Sequence, residues 1–499
     1  MFFSPTKEVM FLVLIESPKQ RGWVTKALLF ASPDVIYGFD LFTKAPNLGL
    51  TSIAANTDEA EVKVADLVLV KDSARYVKDT VRLHRPDIVG FSCMTFQYPT
   101  AVRLAEVVKE VDPSIKVVFG GYHPTLTYQE PQPDCIDFIV RGEGEQTFHE
   151  LILALKGKMK IEDVKGLSFR AGSGEFKHNE ARSLLDLDTL KIPARDARLL
   201  KGFHAFGRPL DVVETSRGCT IGCKYCCIQS MYGRSFRTYR IERVLEDICD
   251  AAKHGAKSIL FVDDNINLDN KRFRRICEAI IDHGLNNLHY YIQASVYGLS
   301  EPDIIEIMAK AGFKAVFLGI ESMIHTNLSF LSPRKSELYS SDITFKVVRK
   351  LREEGIIVIG GFMLGNPEDS AVEFWHHLEQ ARRLKIDLPI FFISTPYPRT
   401  ELREELMGLG LVTNPKDYSR YSCFEANIRT KNLSAEDIDE LEWRLYHEWY
   451  KTTDWFLWNN LKKHYPIYTI KTILKTYPKH LMNILRLSAR FKPYSVVRT

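Results

Sequence analysis

Hydrophobic and polar positions alternate in two long stretches of the chain, separated by a segment where the pattern lapses. In the first stretch, Val9–Glu16, Glu61–Ala65, Ile88–Ser92 and Lys116–Phe119 read as strands, and helical periodicity runs over about 71–84, 97–110 and 145–156. Val9–Ile15 is followed by charge and lacks a small-residue cleavage site, so it reads as a first strand rather than a signal peptide. Strands alternating with helices predict a Rossmann-like, doubly wound parallel sheet. The Gly120-Gly121 pair directly after a strand lets the backbone approach something closely.

Between 165 and 198 the alternation stops. GLSFRAGSGEFKHNEAR (166–182) predicts a hairpin with a Gly-Ser-Gly turn, and DLDTLKIPARD (186–196) an extended connector. Alternation then resumes. Asp211–Thr215, Lys257–Val262, His289–Gln293, Lys314–Ile320, Ile356–Leu364 and Leu388–Ile393 read as strands, with helices at about 240–254, 271–283, 301–311, 338–354 and 370–384. Gly255, Gly312 and Gly355 stand as helix stops. Six βα units predict a partial (β/α)6 TIM barrel whose site lies at the C-terminal ends of the strands. After 400 the chain turns helical, and two tail helices begin at Pro466 and Pro478. The α/β chain therefore divides into a Rossmann-like domain (1–160), a hairpin and linker (161–207), the barrel (208–405) and a helical C-terminal region (406–499).

Composition changes this picture little. Of 499 residues, 45% are hydrophobic and 26% charged, which excludes a disordered or disulfide-knot protein. No window approaches the roughly 18 uninterrupted apolar residues of a membrane span. The net charge of +4 is uneven: residues 451–499 carry +9, leaving −5 for the rest. That basic tail also holds Trp455, Trp458, Tyr465 and Tyr468. It suits peripheral contact with anionic lipid, or a helical cap on the barrel with a solvated basic face. A cytoplasmic protein is expected, with peripheral membrane contact through the tail as one option and no nucleic-acid partner.

Nine cysteines and no visible export signal argue against a disulfide framework. Four of them lie in TSRGCTIGCKYCCIQS (215–230), just after the first barrel strand. Cys219, Cys223 and Cys226 have the spacing C-x3-C-x2-C. Three thiolates on one loop can hold three irons of a cubane and leave the fourth open. Structural zinc would want four ligands, commonly in two pairs, and no second C-x2-C exists. An accidental group of buried thiols is the remaining alternative.

The cysteine motif with Tyr225 before the third cysteine, in this position, resembles the radical S-adenosylmethionine superfamily. The resemblance covers about residues 1–430. It implies that Cys219, Cys223 and Cys226 ligate a [4Fe–4S] cluster whose open iron binds S-adenosylmethionine. One-electron reduction, from a reductant such as ferredoxin or flavodoxin, would give a 5′-deoxyadenosyl radical in an oxygen-sensitive enzyme. Strand-end residues implied as cofactor contacts are Asp263, with Asp264 and Asn265, then Gln293, Ser295, Glu321 and Gly361. TPYPRTEL (395–402) resembles a family segment that usually has Gly where Arg399 stands, so Arg399 reads as a salt bridge or a substrate contact.

RPDIVGFSCMTFQYPTA (85–101), VVFGGYHPT (117–125) and DFIVRGEGEQTF (137–148) resemble the cobalamin-binding module that precedes the barrel in one class of these enzymes. The resemblance implies that Ser92, Gly120 and Gly121 admit the cofactor's buried tail. The loop read as following the first strand, SPKQRGWVTKALLF (17–30), has no histidine, and the first histidine of the chain is His84. Cobalamin would bind without a protein imidazole, or the module is a scaffold. His123 reads as structural rather than as a ligand. Similar proteins include hopanoid methylases, tetraether ring-forming enzymes and the anaerobic magnesium-protoporphyrin cyclase. The expected function is methylation or C–C bond formation on a lipid, isoprenoid or tetrapyrrole. Alternatives are methylthio transfer to a macromolecule and a non-catalytic cofactor-binding sensor.

Overall fold

The computed structural model describes residues 25–34, 43–338, 340–451 and 463–465. Two parallel sheets carry the chain. The first contains β1 (Thr25–Ala31), β2 (Ala60–Asp66), β3 (Ile88–Ser92), β4 (Lys116–Gly120), β5 (Phe138–Val140), β6 (Leu167–Arg170) and β7 (Phe176–His178), in spatial order β2-β1-β3-β4-β5-β6-β7. The first five are parallel and the last two antiparallel. The strand order reverses between β1 and β3, so a crevice opens at their C-terminal ends.

The expected strand Val9–Glu16 lies outside the described residues. The reading of 25–30 as part of a loop is corrected, because Thr25–Ala31 is a central strand paired along its length with β2 and over Ala27–Ala31 with β3. Its apolar run is continuous because both faces are covered. Leu28 and Phe30 enter one core, while Ala27, Leu29 and Ala31 enter the other. The stretch that follows β1 also has no histidine, so that part of the argument stands. The hairpin forms, and its strands β6 and β7 extend the first sheet past residue 160.

The second sheet is a curled half-barrel of six parallel strands: β8 (Arg208–Val213), β9 (Ser258–Phe261), β10 (His289–Ser295), β11 (Phe313–Glu321), β12 (Ile357–Leu364) and β13 (Leu388–Ile393). Neighbours in sequence are neighbours in space, as successive βα units dictate. Both edges are covered, which blocks strand addition. The β8 edge continues into antiparallel His204–Ala205 and Thr43–Lys44. At β13, the Phe391 N–H donates to the Tyr446 hydroxyl at 2.9 Å, and the Ile393 N–H donates to the Cys423 carbonyl at 2.8 Å.

Register separates the two faces of the half-barrel. Ile292, Val316 and Val358 are fully buried under the helices. The row Gln293, Phe317, Ile359 is in register on the other face, with Gln293 exposed and the other two half-buried. Its floor is apolar: Phe206, Leu210, Tyr291, Ala315, Ile357 and Leu388 form one cluster with Tyr465. Tyr465 stacks on Phe206 at 5.0 Å, and its hydroxyl meets His289 Nδ1 at 2.7 Å and the Tyr291 hydroxyl at 2.8 Å. The described part of the tail therefore caps the barrel. The remaining tail residues, with the expected helices at Pro466 and Pro478, lie outside the described residues. No described helix is long and apolar enough to cross a membrane.

The floor should respond in two grades. Tyr465→Phe removes two buried hydrogen bonds and should cost about 1–3 kcal/mol. Tyr465→Ala also empties the ring site and should cost about 3–5 kcal/mol. Denaturant melts of the full chain check both.

Candidate functional site

The chain leaves β8 at Val213 and builds the cysteine loop on a closed base, in which Ser216–Arg217 pairs antiparallel with Arg237–Thr238. Asp263, just past β9, braces that base. Its carboxylate accepts from the Thr215 N–H at 3.1 Å, the Thr215 hydroxyl at 2.7 Å and the Ser216 hydroxyl. Asp264 accepts from the Gly218 N–H at 2.8 Å. Gly218 has φ 90°, and a Cβ there would collide with the Ser235 carbonyl. Burial raises both aspartates, Asp264 to about 6.

Cys219, Cys223 and Cys226 follow, all half-buried. The Cys226 N–H donates to the Cys223 carbonyl at 3.1 Å, and Cys223 Sγ lies 3.3 Å from Ser332 Oγ. Lys224 ties the turn to two distant segments. Its N–H donates to Leu331 at 2.9 Å, its carbonyl accepts from Leu402 at 3.0 Å, and its ammonium meets Glu405 at 2.7 Å. Burial raises the Cys219 and Cys226 thiols, and neighbouring cysteines of the motif push each further up. Such thiols ionise when a metal supplies the opposing charge. Among the described residues no group of three His, Cys, Asp or Glu is placed to hold a single metal ion. An iron–sulfur cubane takes each thiolate on a different iron, and the motif's thiols are coupled through their charges. The donor set fits the cubane.

Glu321 ends β11 with φ 62°, a strained position for a non-glycine residue. Its carboxylate lies 2.5 Å from Lys335 Nζ, with both side chains buried, and Tyr225 of the cysteine loop is its electrostatic neighbour. Lys335 sits near enough to Cys219 to favour its thiolate. Sequence reasoning missed this lysine, since Lys335 in SPRKS reads as an ordinary surface residue. Gln293 points into the half-barrel and is exposed.

Three of the expected contacts have partners within the protein. Asp263 is occupied in bracing the loop base. Ser295 directs its N–H and hydroxyl to Asn267 Oδ1, at 3.1 and 3.2 Å. Gly361 makes room for the protein itself, because a Cβ there would lie 2.8 Å from the Phe317 ring.

The cysteine loop is clamped to the first sheet. Arg217, two residues before Cys219, is buried and donates to Glu143 at 2.8 Å, Glu145 at 2.7 Å and Glu214 at 2.8 Å. Arg237 takes a second hold on Glu143 at 2.9 Å, and the Ser52 hydroxyl donates to Glu145 at 2.8 Å. Arg217 holds Glu145 below its ordinary value, while burial outweighs the same guanidinium at Glu214 and raises it to about 7. On another side of the seam, Arg399 Nη2 bonds Gln129 Oε1 at 2.7 Å and stacks over Tyr128. The Tyr418 hydroxyl reaches Glu130 at 3.2 Å.

At the crevice of the first sheet, the Ser92 carbonyl accepts from the N–H and hydroxyl of Ser32, at 3.3 and 3.2 Å. Gly121 has φ 96°, and a Cβ there would lie 2.9 Å from the Cys93 carbonyl, so this glycine answers to the chain's own packing. Gly120 differs: a Cβ would meet nothing closer than 3.6 Å. A methyl group there would make only ordinary contacts with Val140 at the end of β5. Tyr122 then turns toward the cysteine loop, where Tyr232, Asp264, Cys226 and Cys227 are its electrostatic neighbours. His123 is buried between Tyr98 at 4.3 Å and Tyr418 at 4.7 Å, and burial lowers it to about 3.

Comparison with known proteins follows the same division. Residues 36–152 match the B12 binding domain family, and residues 213–381 match the Radical SAM superfamily. A protein from Pyrococcus horikoshii described as an uncharacterized methyltransferase is 30% identical over 413 residues, covering 82% of this chain and 88% of that protein. The anaerobic magnesium-protoporphyrin IX monomethyl ester cyclase of Synechocystis is 26% identical, covering 88% of this chain and 83% of its own. The solved structure of the radical S-adenosylmethionine methyltransferase TsrM from Kitasatospora setae shares the fold, with TM-score 0.67, 16% identity and coverage of 85% and 91%.

Breaking the clamp should be costly. Arg217→Met leaves buried carboxylates without their cation and should destabilise the protein by about 3–5 kcal/mol, read by denaturant melts. Glu214 also gives a pH signature. Its value is raised from 4.5 to about 7, so its stabilising contribution is full below about pH 4.5 and lost as pH rises to about 7. Melting temperatures across that window should fall more for the wild type than for Glu214→Gln.

Proposed function

Because this chain belongs to the radical S-adenosylmethionine enzymes that carry a B12 binding domain ahead of the barrel, we propose that it functionalises an unactivated carbon of a hydrophobic small molecule, by methylation or C–C bond formation. The observation that carries this reading is the three-thiol loop held by Arg217 against Glu143 and Glu145 of the first sheet, with Tyr122 at that sheet's crevice among the loop's electrostatic neighbours. The family's cofactors are a [4Fe–4S] cluster, S-adenosylmethionine and cobalamin. When bound, they supply a 5′-deoxyadenosyl radical after one-electron reduction, and a cobalt centre able to carry a methyl group.

Cys219, Cys223 and Cys226 would hold the cluster. Glu321 and Lys335 set an anion and a cation side by side near Cys219, the two charges that meet a zwitterionic amino-acid end. Gln293 offers an amide inside the half-barrel. Ser92 and Gly120 would border the cobalamin tail. His123 is neutral at physiological pH and enclosed by two tyrosines, which supports cobalamin held without a protein imidazole.

The interior supports an apolar substrate. Phe317 and Phe392 lie 6.1 Å apart, Phe392 and Phe424 5.5 Å apart, and half-buried Ile359 stands in register with Phe317. Such a lining excludes water and orients by shape.

Anaerobic reconstitution tests the reading. The wild type should take up about four irons per chain, bind cobalamin and form 5′-deoxyadenosine with dithionite, and Cys→Ala at 219, 223 and 226 should abolish iron uptake. Absence of deoxyadenosine under any reductant would overturn it. The two glycines should separate. Gly121→Ala should lower the melting temperature of the apoprotein. Gly120→Ala should leave melting unchanged and weaken cobalamin binding about tenfold, a loss of about 1.4 kcal/mol.

A further inference from the structure

The turn of the cysteine loop lies partly at the surface. Between Cys219 and Cys223 run Thr220, Ile221 and Gly222, of which Thr220 and Gly222 are partly exposed. Two guanidiniums converge on this turn from different parts of the chain. Arg334 donates from Nη1 to the Thr220 carbonyl at 3.0 Å. Arg234 places Nη2 3.8 Å from the point where a side chain on Gly222 would begin. Both arginines are exposed, and neither has a carboxylate partner among the described residues. Lys224, on the same loop, is by contrast bound to Glu405. Glu337, one helical turn beyond Arg334, makes no ion pair with it among the described residues.

We propose that Arg234 and Arg334 form the docking surface for an acidic one-electron carrier protein, of the ferredoxin or flavodoxin kind, that reduces the cluster. The inference rests on the reading that Cys219 and Cys223 hold an iron–sulfur cluster. Guanidinium groups with N–H donors left over recognise surface carboxylates. A local positive field steers an acidic partner to the turn that separates two of the cluster's ligands. The transfer balances simply. The carrier loses one electron, the cluster gains it, and no bond or proton moves.

The test uses the reconstituted full chain and an acidic ferredoxin. Binding is titrated at about 0.05 M and about 0.5 M salt, and cluster reduction is followed by bleaching, once with reduced ferredoxin and once with dithionite. The variants are Arg234→Glu, Arg334→Gln, which keeps an N–H for the Thr220 carbonyl, and the pair. Wild-type binding should weaken steeply with salt. The double variant should lose about tenfold or more in ferredoxin affinity and ferredoxin-driven rate, while dithionite reduces it at the wild-type rate. Salt-insensitive binding, or wild-type behaviour of the double variant, overturns the proposal. So does an equal loss with both reductants, which would assign the arginines to holding the loop. A wild-type chain that takes up no iron fails the underlying reading before any carrier is added.

Discussion

One buried guanidinium fixes the geometry on which the site depends. Arg217 is gripped by Glu143 and Glu145, just past the end of β5 in the first sheet, and by Glu214 at the start of its own loop. Charges taken out of water must be paired and hydrogen-bonded to be tolerated. Arg217 and Arg237 bring two positive charges to three carboxylates, leaving one negative charge in excess. The raised value of Glu214 relieves that excess, since a proton held there near neutrality brings the group close to balance. A network satisfied in this way has few alternative arrangements, so it fixes register as well as proximity. Cys219 lies two residues beyond Arg217, and any slip in the clamp moves the first cysteine of the motif with it.

Much of the fold was legible because both sheets follow simple periodicities. All six barrel strands lie within a few residues of the expected runs, since each alternates with an amphipathic helix whose end is marked by glycine or charge. The strand Thr25–Ala31 was missed for a physical reason: it is covered on both faces, so it shows no alternation. The site was legible where spacing alone carries the chemistry, as in the cysteine motif. It was illegible where a side chain meets a partner far away in sequence. Arg217 and its two glutamates are more than 70 residues apart, and Lys335 turns inward only because Glu321 waits there. The charged residues of RGEGE and TSRGC were the available signal. Nothing in their local pattern says that they face one another.

Strain collects at the mouth of the barrel. Glu321, Arg399 and Cys423 are non-glycine residues in the left-handed region, with φ between 60° and 68°. Each sits at or beyond the C-terminal end of a barrel strand, where such strain of about 1–2 kcal/mol persists only if neighbours over-determine it. The neighbours are visible: Lys335 and Tyr225 hold Glu321, while Tyr397 lies 3.2 Å from the Cys423 sulfur. Arg399 was expected to form a salt bridge or touch substrate. Among the described residues it forms no salt bridge, and its guanidinium instead bonds Gln129 and covers Tyr128 across the seam. The glycine usual at this position would adopt the same backbone freely and could not span that gap. The arginine offsets its backbone strain with a contact between the two sheets.

Three consecutive residues then stand where the two halves of the site meet. Gly120 stands at ordinary contact distance from Val140, with no backbone strain. Gly121 adopts a backbone that Cys93 would deny to any larger residue, and so reverses the chain at the end of β4. Tyr122 follows that turn, with Tyr232, Asp264 and the cysteine loop as its electrostatic neighbours. A Cβ at Gly120 would meet only Val140 at ordinary distance, and one at Gly121 would disturb the turn that precedes Tyr122. Of the Gly-Gly pair, only the second glycine is thus demanded by the fold itself. The approach of Tyr122 to the cysteine loop depends on that turn.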